Sequence, residues 1–145
     1  MDAIDAQIVA LLVQDARRPY GDIAKRVSLS APAVKRRVDR LRASGALRGF
    51  TVVLDHAALG ESTEALVELF FAPGTLLDQV AATLDRHPEV VEAWSVTGEP
   101  DAVARVRTRD NADLERVIME IQKEGPVERT RSQVVLSQLV GRPRG

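Results

Sequence analysis

Residues 19–42 read PYGDIAKRVSLSAPAVKRRVDRLR, two helical periods separated by a tight corner. Pro19 opens a short helix with Ile23, Ala24 and Val27 on its inner face, and Asp22 is favourable in its first turn. Ser28-Leu29-Ser30 forms the corner. Ser30 then caps a third helix whose inward residues are Val34, Val38 and Leu41, and Gly45 stops it. Upstream, Ile4, Ile8, Leu11 and Leu12 recur at helical spacing, so a first helix is predicted over residues 3–15 with Asp2 as its cap. A short helix, a corner and a basic amphipathic helix are the parts of a helix-turn-helix, in which the last helix packs one stripe inward and presents the other to the major groove.

Charge follows the same division. Between Arg17 and Phe50 stand ten basic residues against only Asp22 and Asp39, although the whole chain of 145 residues carries a net charge of −1. A basic segment on an acidic remainder points to a polyanion partner, because local charge decides phosphate contacts. Ser30, Ala31, Pro32, Lys35, Arg36, Arg37 and Arg40 are the candidate DNA contacts. Arg36 and Lys35 suit guanine edges or phosphates, Ser30 places a hydroxyl and free N–H groups at a helix N-terminus, and Arg40, Arg42 and Arg48 suit the backbone.

Beyond Gly45 the period changes. Residues 48–54 are β-rich and read as a hinge strand; residues 63–72 read as a strand with both faces largely apolar. Pro73-Gly74 breaks it, Thr75-x-x-Asp78 has the form of a capping box, and Leu76, Leu77, Val80, Ala81 and Leu84 form one stripe of the next helix. Residues 90–97 and 102–107 are strands joined by Gly98-Glu99-Pro100-Asp101, a connection short enough only for an antiparallel hairpin. Asp110 starts a helix with Leu114, Val117, Ile118 and Ile121 inside, Gly125-Pro126 ends it, and residues 127–140 are a last strand.

The predicted fold is α+β. A helix-turn-helix domain, winged-helix-like, occupies residues 1–47; a hinge strand and linker 48–62; a ferredoxin-like βαββαβ domain 63–140; and a tail 141–145. In that arrangement both helices cover one sheet face. Leu66 and Phe70 lie on the other, so a partner chain is expected there, and with it a homodimer.

Composition narrows the classes. Apolar residues at 45% and charged residues at 28% fit a globular protein and exclude disorder as the main theme. The absence of cysteine excludes disulfides and thiolate chemistry. The first residues lack the basic start of a secretory signal, so a cytoplasmic protein with no membrane association is expected. His56 and His87 stand alone in sequence, which suits structural roles better than metal ligation, and no nucleophile–base set or phosphate-cradling loop is present. No catalytic residue, metal or cofactor is called for. Trp94 reads as a core or interface residue.

The chain resembles the Lrp/AsnC, or feast/famine, family of transcription regulators. The resemblance rests on Asp5 with Ile8 and Leu12, on Asp15-Ala16-Arg17, on Asp22-Ile23-Ala24, on Leu29-Ser30 with Val34, Arg36-Arg37-Val38 and Leu41, and on Gly45-Ala46-Leu47 with Gly49-Phe50. It continues through Val96-Thr97-Gly98-Glu99-Pro100-Asp101, which resembles the family's effector loop, and Gly125-Pro126-Val127 with Thr130 and Ser132. Pro19, Pro32-Ala33 and Pro100 depart from the family pattern. The resemblance implies sequence-specific binding of double-stranded DNA, dimers that assemble further, often to octamers, and a small-molecule effector, an amino acid. Thr97, Gly98, Glu99, Pro100, Asp101, Thr130 and Ser132 are the candidate effector contacts. Backbone N–H groups near Gly98 suit the ligand's carboxylate, and Asp101 suits its ammonium group.

Two other readings compete. One is a DNA-organising protein that senses no ligand. The other is a tetrapyrrole-modifying enzyme, since siroheme decarboxylases resemble the same two-domain architecture. Such an enzyme calls for histidines and arginines around a large apolar cavity, whereas here histidine is scarce and the basic residues gather on one helix.

Overall fold

The computed structural model describes residues 1–141, and the rest of the expected tail, residues 142–145, lies outside the described residues. The chain divides into two compact units, the first formed by Met1–Val53 and the second by Leu54–Leu139.

The first unit holds three helices: α1 (Ala3–Gln14), α2 (Tyr20–Arg26) and α3 (Ala31–Ala43). Asp2 caps α1 reciprocally: its Oδ1 accepts from Asp5 N at 2.8 Å, and Asp5 Oδ2 accepts from Asp2 N at 3.1 Å. Two otherwise orphan N–H groups are satisfied in this way, and such a cap is worth about 1 kcal/mol. Pro19 occupies the cap position of α2 and supplies no side-chain acceptor. The corner turns at Ser28, whose φ of 56° makes it the one non-glycine residue of positive φ among the described residues, and Leu29 N donates to Ala24 O at 3.0 Å. Ser30 Oγ then accepts from Ala33 N at 3.3 Å. Ile8, Leu12, Ile23, Ala24, Val27, Val34 and Val38 meet in one core. Gly45, at φ +74°, lets the chain leave α3.

The hinge strand expected over residues 48–54 is not formed, nor is any wing strand in this unit. Val53 is 91% exposed. A strand exists only where its N–H and C=O groups find a ladder, and no described residue of the chain offers one to this segment.

The second unit contains β1 (Thr63–Phe71), α4 (Leu77–Asp85), β2 (Val90–Ser95), β3 (Ala102–Thr108), α5 (Asn111–Lys123) and β4 (Val127–Val134). The sheet order is β2-β3-β1-β4 with every pair antiparallel, the ferredoxin-like arrangement. Ala65, Val67 and Leu69 of β1 pack with Ala104 and Val106 of β3, Val80 and Leu84 of α4, and Leu114, Val117 and Ile121 of α5 in a single core. Both helices therefore lie on one face. Each fully buried Leu, Ile or Val contributes about 1.5–3 kcal/mol of transfer free energy, so this layer dominates the unit's stability.

The opposite face has no helix over it. Register places Leu66, Glu68 and Phe70 of β1 there with Val103, Arg105 and Arg107 of β3, Trp94 of β2, and Arg129 and Arg131 of β4. Arg129 stacks on the Phe70 ring, 3.7 Å from its centroid. Arg105 and Arg107 pair with Glu64, and Arg131 pairs with Glu68. Trp94 is 43% exposed and belongs to this surface, not to the core.

Four expectations need correction. Thr75 does not cap α4: Leu76 N donates to Gln79 Oε1 at 2.9 Å, while Thr75 Oγ1 donates to Pro126 O at 3.4 Å. Since α4 starts only at Leu77, the buried stripe is Val80, Thr83 and Leu84, and Leu76 and Leu77 are 65% and 59% exposed. The final strand stops at Val134, not residue 140, because β1, its one partner among the described residues, begins at Thr63; Val135 N makes a last bond to Glu64 O at 2.8 Å. β2 stops at Ser95, where Val96 N turns to Asp101 O at 3.2 Å. Among the described residues no helix is long and apolar enough to cross a membrane.

Candidate DNA interface and effector loop

With 3.6 residues per turn, α3 divides into three sides. Val34, Val38 and Leu41 are buried. Pro32, Lys35, Arg36 and Asp39 are exposed away from them, with Ser30 exposed at the N-terminus and Ala31 partly packed on the core. On this outer side Lys35 Nζ lies 2.7 Å from Asp39 Oδ2, an i,i+4 pair that holds the ammonium above its ordinary pKa. Arg36 has no hydrogen bond or ion pair among the described residues, so its guanidinium is available to an incoming acceptor.

The third side is a flank formed by Arg37 and Arg40, three residues apart. Arg37 Nη1 donates to Asp2 Oδ2 at 2.6 Å and to Asp5 Oδ1 at 2.7 Å. Arg40 Nη2 lies 3.2 Å from Asp5 Oδ2. Asp5 is 3% exposed, and hydrogen bonding from Arg37 keeps its carboxyl below the usual carboxylate range. Arg37, a candidate DNA contact by its place in the sequence, is engaged in the structure as a tie between α3 and α1. Arg40 is exposed and makes the weaker contact. The pairing spans 32 residues, and the only sequence signal for it was an acidic residue placed among the inward positions of α1.

In the second unit Gly98 adopts φ +123°, which suits the turn between β2 and β3. Asp101 is occupied: its N–H donates to Leu69 O at 3.0 Å, and its Oδ2 accepts from Phe71 N at 2.8 Å. Thr97 and Glu99 are exposed, Pro100 is half-buried, and Glu99 Oε2 comes within 3.8 Å of Arg131 Nη2. Thr130 pairs with Leu69 and Ser132 with Val67, so both hydroxyl residues share the helix-covered side of the sheet, where Thr130 Oγ1 accepts from Gln122 Nε2 at 3.4 Å. No hydrogen bond joins either hydroxyl to residues 97–101 among the described residues. A single chain thus assembles the loop but does not bring Thr130 and Ser132 to it. An open depression of about 390 Å³ lies elsewhere, lined by Pro73, Gly74, Thr75, Gln79, Glu124, Gly125 and Pro126.

Both histidines are held by carboxylates. His56 Nδ1 is 2.8 Å from Glu61 Oε2 beside Arg107, and His87 Nε2 is 2.8 Å from Glu124 Oε1.

Comparison with known proteins places these features. Residues 1–42 match the AsnC-type helix-turn-helix domain, and residues 64–144 match the Lrp/AsnC ligand binding domain. The HTH-type transcriptional regulator Rv2324 of Mycobacterium tuberculosis is 46% identical over 142 residues, 98% of this chain and 96% of that protein. The HTH-type transcriptional regulator FL11 of Pyrococcus horikoshii is 32% identical over 136 residues, 94% of this chain and 89% of that protein. Among solved structures, a feast or famine regulatory protein (Rv3291c) from M. tuberculosis complexed with L-methionine superposes with a TM-score of 0.92 at 30% identity, covering 99% of this chain and 97% of that one. These relatives are transcription regulators and not enzymes, which removes the tetrapyrrole-modifying alternative. The chain belongs to the Lrp/AsnC family and is a DNA-binding transcription regulator that carries a ligand-binding domain.

Proposed function

We propose that α3 lies in the major groove of duplex DNA, that the ferredoxin-like domain forms a homodimer which assembles further, to an octamer or a similar ring, and that an amino acid bound between protomers at residues 97–101 changes that assembly. The observation that carries the DNA reading is the unpaired guanidinium of Arg36, set beside Lys35 on the side of α3 opposite Val34 and Val38. Arg36 is the base reader, Lys35 and Arg40 contact phosphates, and Ser30, Ala31 and Pro32 form the helix N-terminus that approaches the backbone.

The effector part of the reading is supported by the ligand-binding match and by the methionine complex of a relative 30% identical. L-Methionine is therefore the first amino acid to test. Gly98 leaves its N–H open to a carboxylate, whereas Asp101 already accepts from Phe71 N, so the ammonium is met by the second Asp101 oxygen or by the partner chain. Thr130 and Ser132 enter the site from the partner. Two-fold symmetry of a dimer calls for a pseudo-palindromic operator with half-sites one helical turn, or a multiple of it, apart.

The test is selection of duplexes from a random pool by the full chain, followed by titration of the selected duplex with each of the twenty amino acids present. Recovery of a palindrome whose affinity shifts with one amino acid supports the whole reading. Recovery of a palindrome with no response leaves the ligand-free organiser. Failure to enrich any sequence removes the sequence-specific part.

A further inference from the structure

Asp5 does something the rest of the helix-turn-helix does not require. It is 3% exposed on α1, yet it is a carboxylate, and it meets two arginines of α3. Its Oδ1 accepts from Arg37 Nη1 at 2.7 Å, both its oxygens face Arg40 Nη2 at 3.2–3.3 Å, and its Oδ2 accepts from the Asp2 N–H at 3.1 Å. Asp2 Oδ2 holds the same Arg37 nitrogen at 2.6 Å. The apolar stripe of α3 fixes how deep the helix packs, but Val34, Val38 and Leu41 alone permit it to roll about its axis. A directional, charge-assisted contact on the flank beside that stripe opposes the roll.

We infer that Asp5 is a positioning residue for DNA recognition: through Arg37 it sets the rotation of α3 that aims Arg36 and Lys35 at the groove, and Arg37 itself is not a DNA ligand. The inference rests on the proposal that α3 is the reading helix. A misrotated helix keeps its charge and so its phosphate attraction, but it misaligns the side chains that reach base edges. Sequence discrimination is the property that suffers.

Electrostatics alone predicts the opposite sign. Removing the Asp5 charge and freeing two arginines strengthens binding to any duplex. The experiment uses the full chain as Asp5→Asn and Arg37→Lys, each shown by circular dichroism to be folded at the assay temperature. Affinities are measured for the duplex selected by the wild-type chain and for a scrambled duplex of the same composition. Arg37→Lys preserves charge but not the two-carboxylate reach, so it reports even if Asp5→Asn folds poorly. For both variants the selected-to-scrambled affinity ratio falls at least about fivefold, the low end for one bidentate base contact, while scrambled-duplex affinity holds or rises. An unchanged ratio makes Asp5 purely structural, and a parallel rise on both duplexes for Asp5→Asn makes Arg37 a phosphate ligand; either overturns the inference. Arg36→Ala run alongside separates the two levels. If it too leaves the ratio intact, α3 is not the reader; if it alone lowers the ratio, only the role of Asp5 is lost.

Discussion

Asp101 and Phe71, thirty residues apart, are joined by a 2.8 Å hydrogen bond from the Phe71 N–H to the Asp101 carboxylate. The Asp101 N–H returns the contact to Leu69 O at 3.0 Å, so the loop between β2 and β3 is tied to the end of β1 at two points. These bonds lie where β1 is irregular, at the register shift between Phe70 and Phe71. An aspartate that looked free to meet an ammonium group therefore also braces the loop.

Asp101→Ala accordingly loses about 1 kcal/mol of stability, the net worth of one hydrogen bond with its charged acceptor partly solvated, and Asp101→Asn loses less because an acceptor remains. Urea unfolding of the three proteins measures this. Equal midpoints for wild type and Asp101→Ala show that the tether contributes nothing.

Acid sensitivity centres on α5. Asp113 accepts from Arg116 Nε at 3.0 Å and Nη2 at 2.7 Å and from Arg109 Nε at 3.3 Å, and these guanidiniums hold its carboxyl down at about 2. The folded value is below the unfolded one, so the contribution is complete above the ordinary aspartate range near 3.9 and is lost as pH falls through about 2. Glu124, held low by Arg86 and His87, adds to the same loss. Asp113→Asn lowers the urea midpoint at neutral pH and makes the decline below about pH 4 shallower than in wild type. Two parallel midpoint–pH curves exclude this role for Asp113.

Local chemistry was legible in the sequence wherever both partners sit within a few residues. Asp2, Ser30 and Asp110 were each readable as caps because an N-cap bonds an N–H three positions on, and each does so. The βαββαβ order followed from turn signals and the two periods. What escaped depended on distant partners. The end of β4 is set by where β1 begins, seventy residues earlier, and the engagement of Arg37 with Asp5 has no signal near it in sequence. Leu76 and Leu77 are apolar at helical spacing yet exposed, because Gln79 caps Leu76 N and the helix starts only after it. Residues 48–54 have the composition of a strand and lack a ladder among the described residues of the chain.

Arg36→Ala weakens binding to the selected duplex by about 1–3 kcal/mol, the range for one bidentate base contact, with little change in salt dependence. Lys35→Ala acts the other way: a smaller loss, shared by all duplexes, and a log–log salt slope shallower by about 0.9 for the lost phosphate contact. Fluorescence anisotropy at several salt concentrations separates them. If the two variants behave alike, the assignment of base and phosphate roles on α3 is wrong.

The uncovered sheet face tests the dimer. Leu66 lies between Arg105 of β3 and Gln133 of β4, and Phe70 is stacked under Arg129, so the face alternates apolar patches with charge pairs. Leu66→Asp leaves the helix-side core intact yet places a carboxylate in a contact that desolvates it, which costs more than the contact gains. Light scattering at micromolar concentration then shows a monomer with native circular dichroism. A Leu66→Asp chain that keeps the wild-type mass places the dimer contact elsewhere.

Gly98 separates strain from ligand exclusion. Its φ of +123° disfavours any side chain, but a Cβ built there meets nothing within 4 Å, so in one chain the cost is backbone strain alone. Ala and Asp at this position carry similar strain, about 1–2 kcal/mol. They differ in charge. If the effector's carboxylate docks on the backbone here, Gly98→Ala weakens binding modestly through altered geometry, whereas Gly98→Asp abolishes it, because a second carboxylate faces the first with no cation between them. DNA affinity without effector is the same in both, since the substitution is in the sensing domain, while the effector-induced change in DNA affinity disappears with binding, as reciprocity of coupled sites demands. Calorimetry with L-methionine and with whichever amino acid shifts DNA binding in the wild type, on all three chains, decides it. Equal effector affinity for Gly98→Ala and Gly98→Asp takes the ligand's carboxylate away from this loop.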